Sequence, residues 1–220
     1  MIILTPDTKT VFSARDQSLT DHLVVKETWV ENVYRIGEAE MNDTGVLIDI
    51  GANIGAVSIW GARLGTRAIA VEPEPDNLSY LNANLAENLN PDAYTVLANA
   101  CTPAPGPVHL MPAHGDTQVV TESSNDTVTV EGITLEQVYL RARVPYSDVL
   151  KIDIEGGEYP LIAATPVEVL RKSRYITLEF DAAPDEVFGP LVAKLAHDFS
   201  IEVLGSPSRG GYIYARRYDS

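Results

Sequence analysis

Short, nearly continuous apolar runs recur along the chain, at Val46-Leu47-Ile48-Asp49-Ile50, Arg67-Ala68-Ile69-Ala70-Val71 and Tyr94 to Ala98. Such runs mark strands buried on both faces, as in a parallel sheet. Between them the apolar positions fall at helical spacing: Ile54, Val57, Trp60, Ala62 and Leu64 ahead of Gly65, then Leu78, Leu81 and Leu85 behind Pro75-Asp76. Each set predicts an amphipathic helix. The alternation resumes at Thr134, where the capping-box spacing to Gln137 opens a helix to about Ala142. Asp148 to Asp153 predicts a fourth buried strand. Thr165-Pro166-Val167-Glu168 has the spacing of a second capping box, with proline at the first helical position. Tyr175 to Phe180 predicts a fifth strand and Pro184 to His197 a helix. Ile201–Leu204 and Tyr212–Arg216, joined by a loop rich in Gly, Ser and Pro, predict a closing antiparallel pair.

Five strand–helix repeats and a terminal hairpin define an α/β fold, a mostly parallel sheet with helices on both faces. Two segments depart from the rhythm. Residues 102–133 hold strand-like runs near Val108–Met111, Gln118–Thr121 and Thr127–Val130, which predict an antiparallel excursion or cap. In residues 1–45, Val11-Phe12 and Leu23-Val24-Val25 predict short strands, and Trp29 to Ala39 a helix. The expected organisation is an N-terminal lid over the sheet's ligand edge (1–45), followed by one domain (46–220). No internal repeat or low-complexity tract is present.

Composition narrows the partners. Of 220 residues, 45% are apolar and 21% charged, which is ordinary for a folded globular chain. Acidic residues outnumber basic ones 31 to 16, a formal charge of −15. That field repels phosphate backbones and anionic lipid, so neither nucleic acid nor a membrane surface is an expected partner. Cys101 is the only cysteine, which excludes an intrachain disulfide and a cysteine-cluster metal site. No run approaches the roughly 18 apolar residues of a membrane span. The chain opens Met-Ile-Ile-Leu and turns polar without a basic stretch, so no signal peptide is expected and the cytoplasm is the expected compartment.

The densest chemical signal is Asp49-Ile50-Gly51-Ala52-Asn53-Ile54-Gly55, which follows a strand and opens a helix. Open parallel sheets bind ligands at the carboxyl ends of their strands, and a glycine turn there lets backbone approach the ligand. A dinucleotide site needs a bare glycine at the position held here by Asn53, to admit the pyrophosphate. Asp49 would face a diphosphate unfavourably but suits a cationic amino-acid moiety. Both residues disfavour NAD and favour S-adenosylmethionine, which has no phosphate and carries an ammonium and a sulfonium. Glu72, followed by Pro73, ends the second strand, where a carboxylate can accept hydrogen bonds from both ribose hydroxyls. Asn99, Ala100 and Cys101 follow the third strand, at the edge where an adenine would lie.

A second cluster is Asp153-Ile154-Glu155-Gly156-Gly157-Glu158, at the end of the fourth strand. Asp153 and Glu155 are candidates to orient or deprotonate a hydroxyl nucleophile beside the transferred methyl group. Glu158 fits equally a first-turn position favoured by the helix dipole. Of the histidines, His22, His109 and His114 are candidate bases. His114, in His114-Gly115-Asp116, is preferred, whereas His197 reads as a dipole partner at a helix end. No two histidines have zincin spacing. Glu179 and Asp181 with Asp153 would be the oxygen ligands of a divalent cation, against the simpler reading of a solvated sheet edge, and no metal is expected. Arg171, Lys172 and Arg174 form the densest basic run, at a helix end that favours cations.

Ile48-Asp49-Ile-Gly51-Ala-Asn53-Ile-Gly55, Val71-Glu72-Pro73, Leu150-Lys151-Ile-Asp153-Ile-Glu155-Gly156-Gly157-Glu158 and Leu178-Glu179 together resemble the FkbM family of S-adenosylmethionine-dependent methyltransferases. The resemblance runs from about Val46 to Glu179, and its fourth-strand motif is the most specific part. It implies a seven-stranded class I methyltransferase (Rossmann-like) fold. It also implies methyl transfer, usually to oxygen, with Asp49, Gly51, Asn53, Gly55 and Glu72 lining the cofactor. Gly157 stands where that motif more often has alanine. The expected function is methylation of a hydroxyl on a small molecule, a sugar or natural-product intermediate. N- or C-methylation on the same scaffold and a non-catalytic cofactor-binding subunit are the alternatives.

Overall fold

The computed structural model describes residues 1–41, 43–65, 67–111 and 127–218, and the backbone of 118–120. The chain begins with an antiparallel hairpin, β1 (Ile2–Leu4) and β2 (Val11–Ser13), then α1 (Leu19–Lys26), which continues into a π-helical turn over Glu27–Glu31. Next come β3 (Val46–Ile50), α2 (Ala56–Leu64), β4 (Arg67–Val71), α3 (Pro75–Asn88) and β5 (Tyr94–Leu97). The excursion is β6 (Ala100–Cys101), β7 (Gly106–Met111), β8 (Gln118–Val120) and β9 (Val128–Ile133), a four-stranded sheet of its own. The alternation then resumes with α4 (Leu135–Ala142), β10 (Ser147–Ile152), α5 (Glu158–Ala164), α6 (Val167–Leu170), β11 (Ser173–Phe180) and α7 (Asp185–Ala196). It closes on the hairpin β12 (Phe199–Ser206) and β13 (Gly210–Arg217).

Seven strands form the main sheet in the order β12-β13-β11-β10-β3-β4-β5. β3, β4, β5, β10 and β11 pair in parallel, and β13 joins β11 antiparallel. Chain order reverses between β3 and β10, which makes their carboxyl ends the switch point where such sheets open a crevice. Ile50 stands opposite both Ile152 and Val71, so the three strands of that crevice end level.

The strands alternate their side chains between two helix-covered faces. Leu150, Ile152, Ile48 and Ile176 pack with Tyr139 of α4, Leu161 of α5 and Leu195 of α7. Leu47, Val149 and Tyr175 meet Val57 of α2 and Tyr34 on the other face. Each fully buried aliphatic side chain contributes about 1.5–3 kcal/mol, so the apolar runs of the sequence are also the energetic centre of the fold.

The expected capping box of α4 is present, with the Gln137 N–H donating to Thr134 Oγ1 and the Thr134 N–H to Gln137 Oε1. The second expected box is absent. Pro166 itself precedes α6 without a side-chain cap, and Thr165 Oγ1 donates back to Leu161 O at 2.7 Å, closing α5 instead.

In the N-terminal segment the Val11-Phe12 strand forms, but Leu23–Val25 belongs to helix α1, whose start Ser18 caps by accepting the Asp21 N–H. The expected helix over Trp29–Ala39 stops at Asn32. That residue adopts a left-handed conformation (φ 47°), and its side-chain amide accepts from Ile36 N and donates to Ile36 O. Those bonds satisfy the backbone locally and compete with a helical ladder. Asn84 and Asn88 of α3 hydrogen-bond the backbone of Ser13 and Val11, which docks the hairpin on that helix.

Candidate active site

At the carboxyl ends of β3, β4 and β10 lies a cavity of about 490 Å³. That size is within the roughly 300–1,000 Å³ of small-molecule sites. Its walls include Gly51, Asn53, Glu72, Pro73, Ala100, Cys101, Asp153 and Glu155 from the expected set, with Ile50, Val71, Asn77 and Leu110.

The glycine loop is folded around Glu72. Gly51 N and Ala52 N both donate to Val71 O, and Asn53 N donates to Glu72 Oε2 at 2.8 Å. Glu72 Oε1 accepts from Glu74 N and Asn77 Nδ2 at 2.9 and 3.2 Å. Burial raises the Glu72 pKa against the pull of these donors. Gly51 has φ 78°, and a Cβ on it would lie 1.7 Å from Asp153 O, so only glycine lets the loops after β3 and β10 meet. Asn53 Oδ1 is buried without a hydrogen-bond partner among the described residues, at the cavity wall. Ala52 and Gly55 lie behind the lining, Gly55 at the start of α2 with φ 94°.

Two expected cofactor residues point elsewhere. Asp49 is fully buried and absent from the wall. It accepts the Ser58 hydroxyl at 2.7 Å and pairs with Lys151 Nζ at 3.2 Å. The cause is register: Lys151 stands directly across from Asp49 on the neighbouring strand. The cation that Asp49 was expected to meet is therefore a side chain of the protein. Asn99 turns toward the small sheet, donating to Glu131 O and Oε2 and accepting from Arg141.

Lys151 was not foreseen, although a lysine inside an apolar strand calls for a buried counter-charge. Its Nζ donates to Gly51 O at 2.6 Å and lies 3.4 Å from Asp153 Oδ2. Burial opposes its charge, but Asp49 and Asp153 outweigh that and move its pKa upward. Tyr34, from the N-terminal segment, donates its hydroxyl to Asp153 Oδ2 at 2.8 Å, and no sequence signal links residues so far apart. Asp153, 23% exposed, thus ties the N-terminal segment to the end of β10 at the cavity wall.

Glu155 lines the same wall in a left-handed conformation (φ 54°). Glu158 is buried, with Oε1 accepting Ile154 N at 2.7 Å. A Cβ on Gly157 would lie 2.8 Å from Ile154 Cδ1, so glycine keeps room for that side chain. Cys101 is buried and its thiol is pushed up to about 12, which makes it an inert apolar wall. His114 lies outside the described residues. His22 and His109 bond to Ser18 O and Thr129 Oγ1, and His197 pairs with Asp198 at the end of α7; none lines the cavity. Among the described residues no three His, Cys, Asp or Glu side chains are arranged to hold an ion, and Asp153, Glu179 and Asp181 form no such group.

Burial pushes Glu158 up to about 7 and Glu179 up to about 8, the latter helped by Asp153 and Glu27. A carboxyl with a higher pKa folded than unfolded holds extra proton in the folded state between the two values, so stability is full below that interval and falls as pH rises through it. For Glu158 the interval runs from the ordinary 4.5 to about 7. Urea denaturation across that interval is expected to show stability falling with pH, and Glu158→Gln to flatten the fall. An identical slope in the variant would assign the effect to another group.

A family model described as the methyltransferase FkbM domain matches residues 49–214. A hexuronic acid methyltransferase of Haloferax volcanii is 27% identical over 161 residues, covering 70% of this chain; the chain spans 64% of that relative's length. A methyltransferase FkbM structure from Methylobacillus flagellatus KT superposes with a TM-score of 0.57 at 14% identity, over 87% of this chain and 47% of that one. Magnesium protoporphyrin IX methyltransferase of Synechocystis PCC 6803, with bound S-adenosylmethionine, gives 0.55 at 14% identity, over 93% and 86%. The two structural likenesses establish the class I methyltransferase fold.

Proposed function

The chain belongs to the FkbM methyltransferase family, and from that premise we propose that it methylates a hydroxyl of a small molecule, a carbohydrate or natural-product intermediate, using S-adenosylmethionine. The observation that carries this reading is the position of Asp153, a carboxylate on the wall of the switch-point cavity, held by Tyr34 and Lys151. The name of the Haloferax relative supports a carbohydrate acceptor.

The residues present fit the cofactor. Among the described residues Glu72, Asp153 and Glu155 line the cavity without a lysine or arginine, which suits a sulfonium and an ammonium and disfavours a pyrophosphate. Glu72 would hold the ribose through Oε2, which keeps a lone pair beyond its bond from Asn53 N, whereas Oε1 already accepts from both Glu74 N and Asn77 Nδ2. Asn53 Oδ1 offers an acceptor that has no partner among the described residues. The apolar walls at Val71, Ala100 and Leu110 suit an adenine. S-adenosylmethionine supplies an electrophilic methyl group. Tyr34 and Lys151 both engage Oδ2 of Asp153, which leaves Oδ1 to take the proton of the acceptor hydroxyl. Such a step depends on positioning more than on covalent catalysis.

Release of S-adenosylhomocysteine with transfer of labelled methyl to a metabolite pool tests the reading. Cofactor binding without turnover on any acceptor would make the chain a binding subunit instead. Glu72→Ala is expected to weaken S-adenosylmethionine binding by about 1.5–3 kcal/mol, the range for hydrogen bonds to a charged group. Calorimetry showing unchanged affinity would remove Glu72 from the site, and binding of NAD would defeat the inference from Asn53.

A further inference from the structure

Glu72 is held by a relay of side chains that begins in the N-terminal segment. Its Oε1 accepts from Glu74 N and Asn77 Nδ2, which fills both lone pairs of that oxygen. Oε2 accepts only Asn53 N among the described residues, so it is the oxygen left for a ligand. Asn77 is buried on the cavity wall, and its Oδ1 accepts from Arg15 Nη1 at 2.8 Å. Arg15 offers donors only, and an ionised Glu72 offers acceptors only. The amide therefore fits in one orientation, oxygen toward Arg15 and nitrogen toward Glu72. Aspartate in its place would set a carboxylate against Glu72, and leucine would bond neither neighbour.

Arg15 is itself fixed. Its side chain is 10% exposed, and Nε and Nη2 both donate to Asp21, which is fully buried. A guanidinium engaged through two nitrogens has its plane set, which aims Nη1 at Asn77 Oδ1 and Asp76 Oδ2. Asp21 is anchored in turn by α1, where its N–H donates to Ser18 Oγ. Arg15 lies ahead of residues 49–214, the part of the chain matched to the family.

We propose that Arg15 and Asn77 are positioning residues for S-adenosylmethionine: Arg15 fixes the Asn77 amide, and Asn77 occupies Oε1 of Glu72, so that Oε2 faces the ribose. The inference rests on the reading of Glu72 as the ribose carboxylate. It makes the N-terminal segment part of the cofactor site as well as a support for Asp153 through Tyr34.

Calorimetry of S-adenosylmethionine binding to the full chain tests the relay as a double-mutant cycle. Asn77→Leu nearly keeps the size of the side chain and removes both bonds, while Glu74 N and Asn53 N still hold Glu72. It is expected to weaken binding about tenfold, the scale of one hydrogen bond. In labelled-methyl turnover on a metabolite pool, the loss should appear in KM for the cofactor rather than in kcat. In the Glu72→Ala background, Asn77→Leu should cost nothing further. Unchanged affinity in a folded Asn77→Leu variant overturns the inference. A full, additive loss in the Glu72→Ala background also overturns it, by placing Asn77 on the cofactor itself.

For Arg15, the double variant Arg15→Met/Asp21→Asn leaves no bare carboxylate in the interior. It is expected to weaken binding severalfold and to add nothing to Asn77→Leu. Unchanged affinity in the folded double variant overturns the relay. If Glu72→Ala itself binds S-adenosylmethionine normally, the ribose reading fails and this inference falls with it. If Glu72→Ala binds weakly but the Asn77 and Arg15 variants bind normally, the inference alone fails.

Discussion

Lys151→Met is expected to lower the stability of the protein by about 3–5 kcal/mol, the usual consequence of removing one partner from a buried ion pair. The ammonium is buried between Asp49 and Asp153 and also bonds Gly51 O. Methionine keeps the length of the side chain but leaves the Asp49 carboxylate, which is fully buried, with only the Ser58 hydroxyl. A domain of this size loses about 2–4 °C of Tm per kcal/mol, so the melting point should drop by about 6–20 °C. That is a large share of a total stability of about 5–15 kcal/mol. The double variant Asp49→Asn/Lys151→Met should recover most of the loss, because two neutral groups of similar shape carry no uncompensated charge. Urea denaturation of the single and double variants closes the cycle. A loss below about 1 kcal/mol in the single variant would mean that Lys151 is not needed as a counter-charge.

The parts of the fold that were legible in the sequence are those whose physics is local. β3, β4, β10 and β11 are buried on both faces, so each left a short run rich in apolar residues, and α4 announced itself through Thr134 and Gln137. The N-terminal segment was less legible because distant side chains hold it. β2 is secured by Asn84 and Asn88 of α3, and the apolar spacing after Trp29 is overruled by Asn32 bonding to Ile36. The same division runs through the site. Gly51, Asn53 and Asp153 stand beside glycine turns at strand ends, Glu72 follows a strand end and precedes Pro73, and all four line the cavity. Asp49 was conspicuous as a residue type, but its role depends on the Lys151 register across two strands that the sequence separates widely. Asn99 shows the converse, an apt residue at an apt strand end that the separate small sheet draws away through Glu131.

Asp153→Asn is expected to slow turnover by about 10²–10⁴-fold, the usual contribution of general-base assistance, with little change in affinity for S-adenosylmethionine. Asparagine nearly preserves the shape of the side chain, so the variant tests charge rather than packing. It removes the acceptor of the hydroxyl proton and sets an amide against the Tyr34 hydroxyl and the Lys151 ammonium. Tyr34→Phe should have a smaller effect, because Tyr34 touches only Oδ2 and acts through Asp153. A fall in kcat at unchanged cofactor affinity, measured by single-turnover kinetics alongside calorimetry, identifies a group that acts on the acceptor. A parallel loss of cofactor affinity would instead make Asp153 part of the cofactor's own support. Near-normal turnover in both Asp153→Asn and Glu155→Gln would move the base to His114. If His114→Ala is then also active, no side chain of the candidate set takes the proton, and the cleft works by holding the two reactants together while the proton leaves to water.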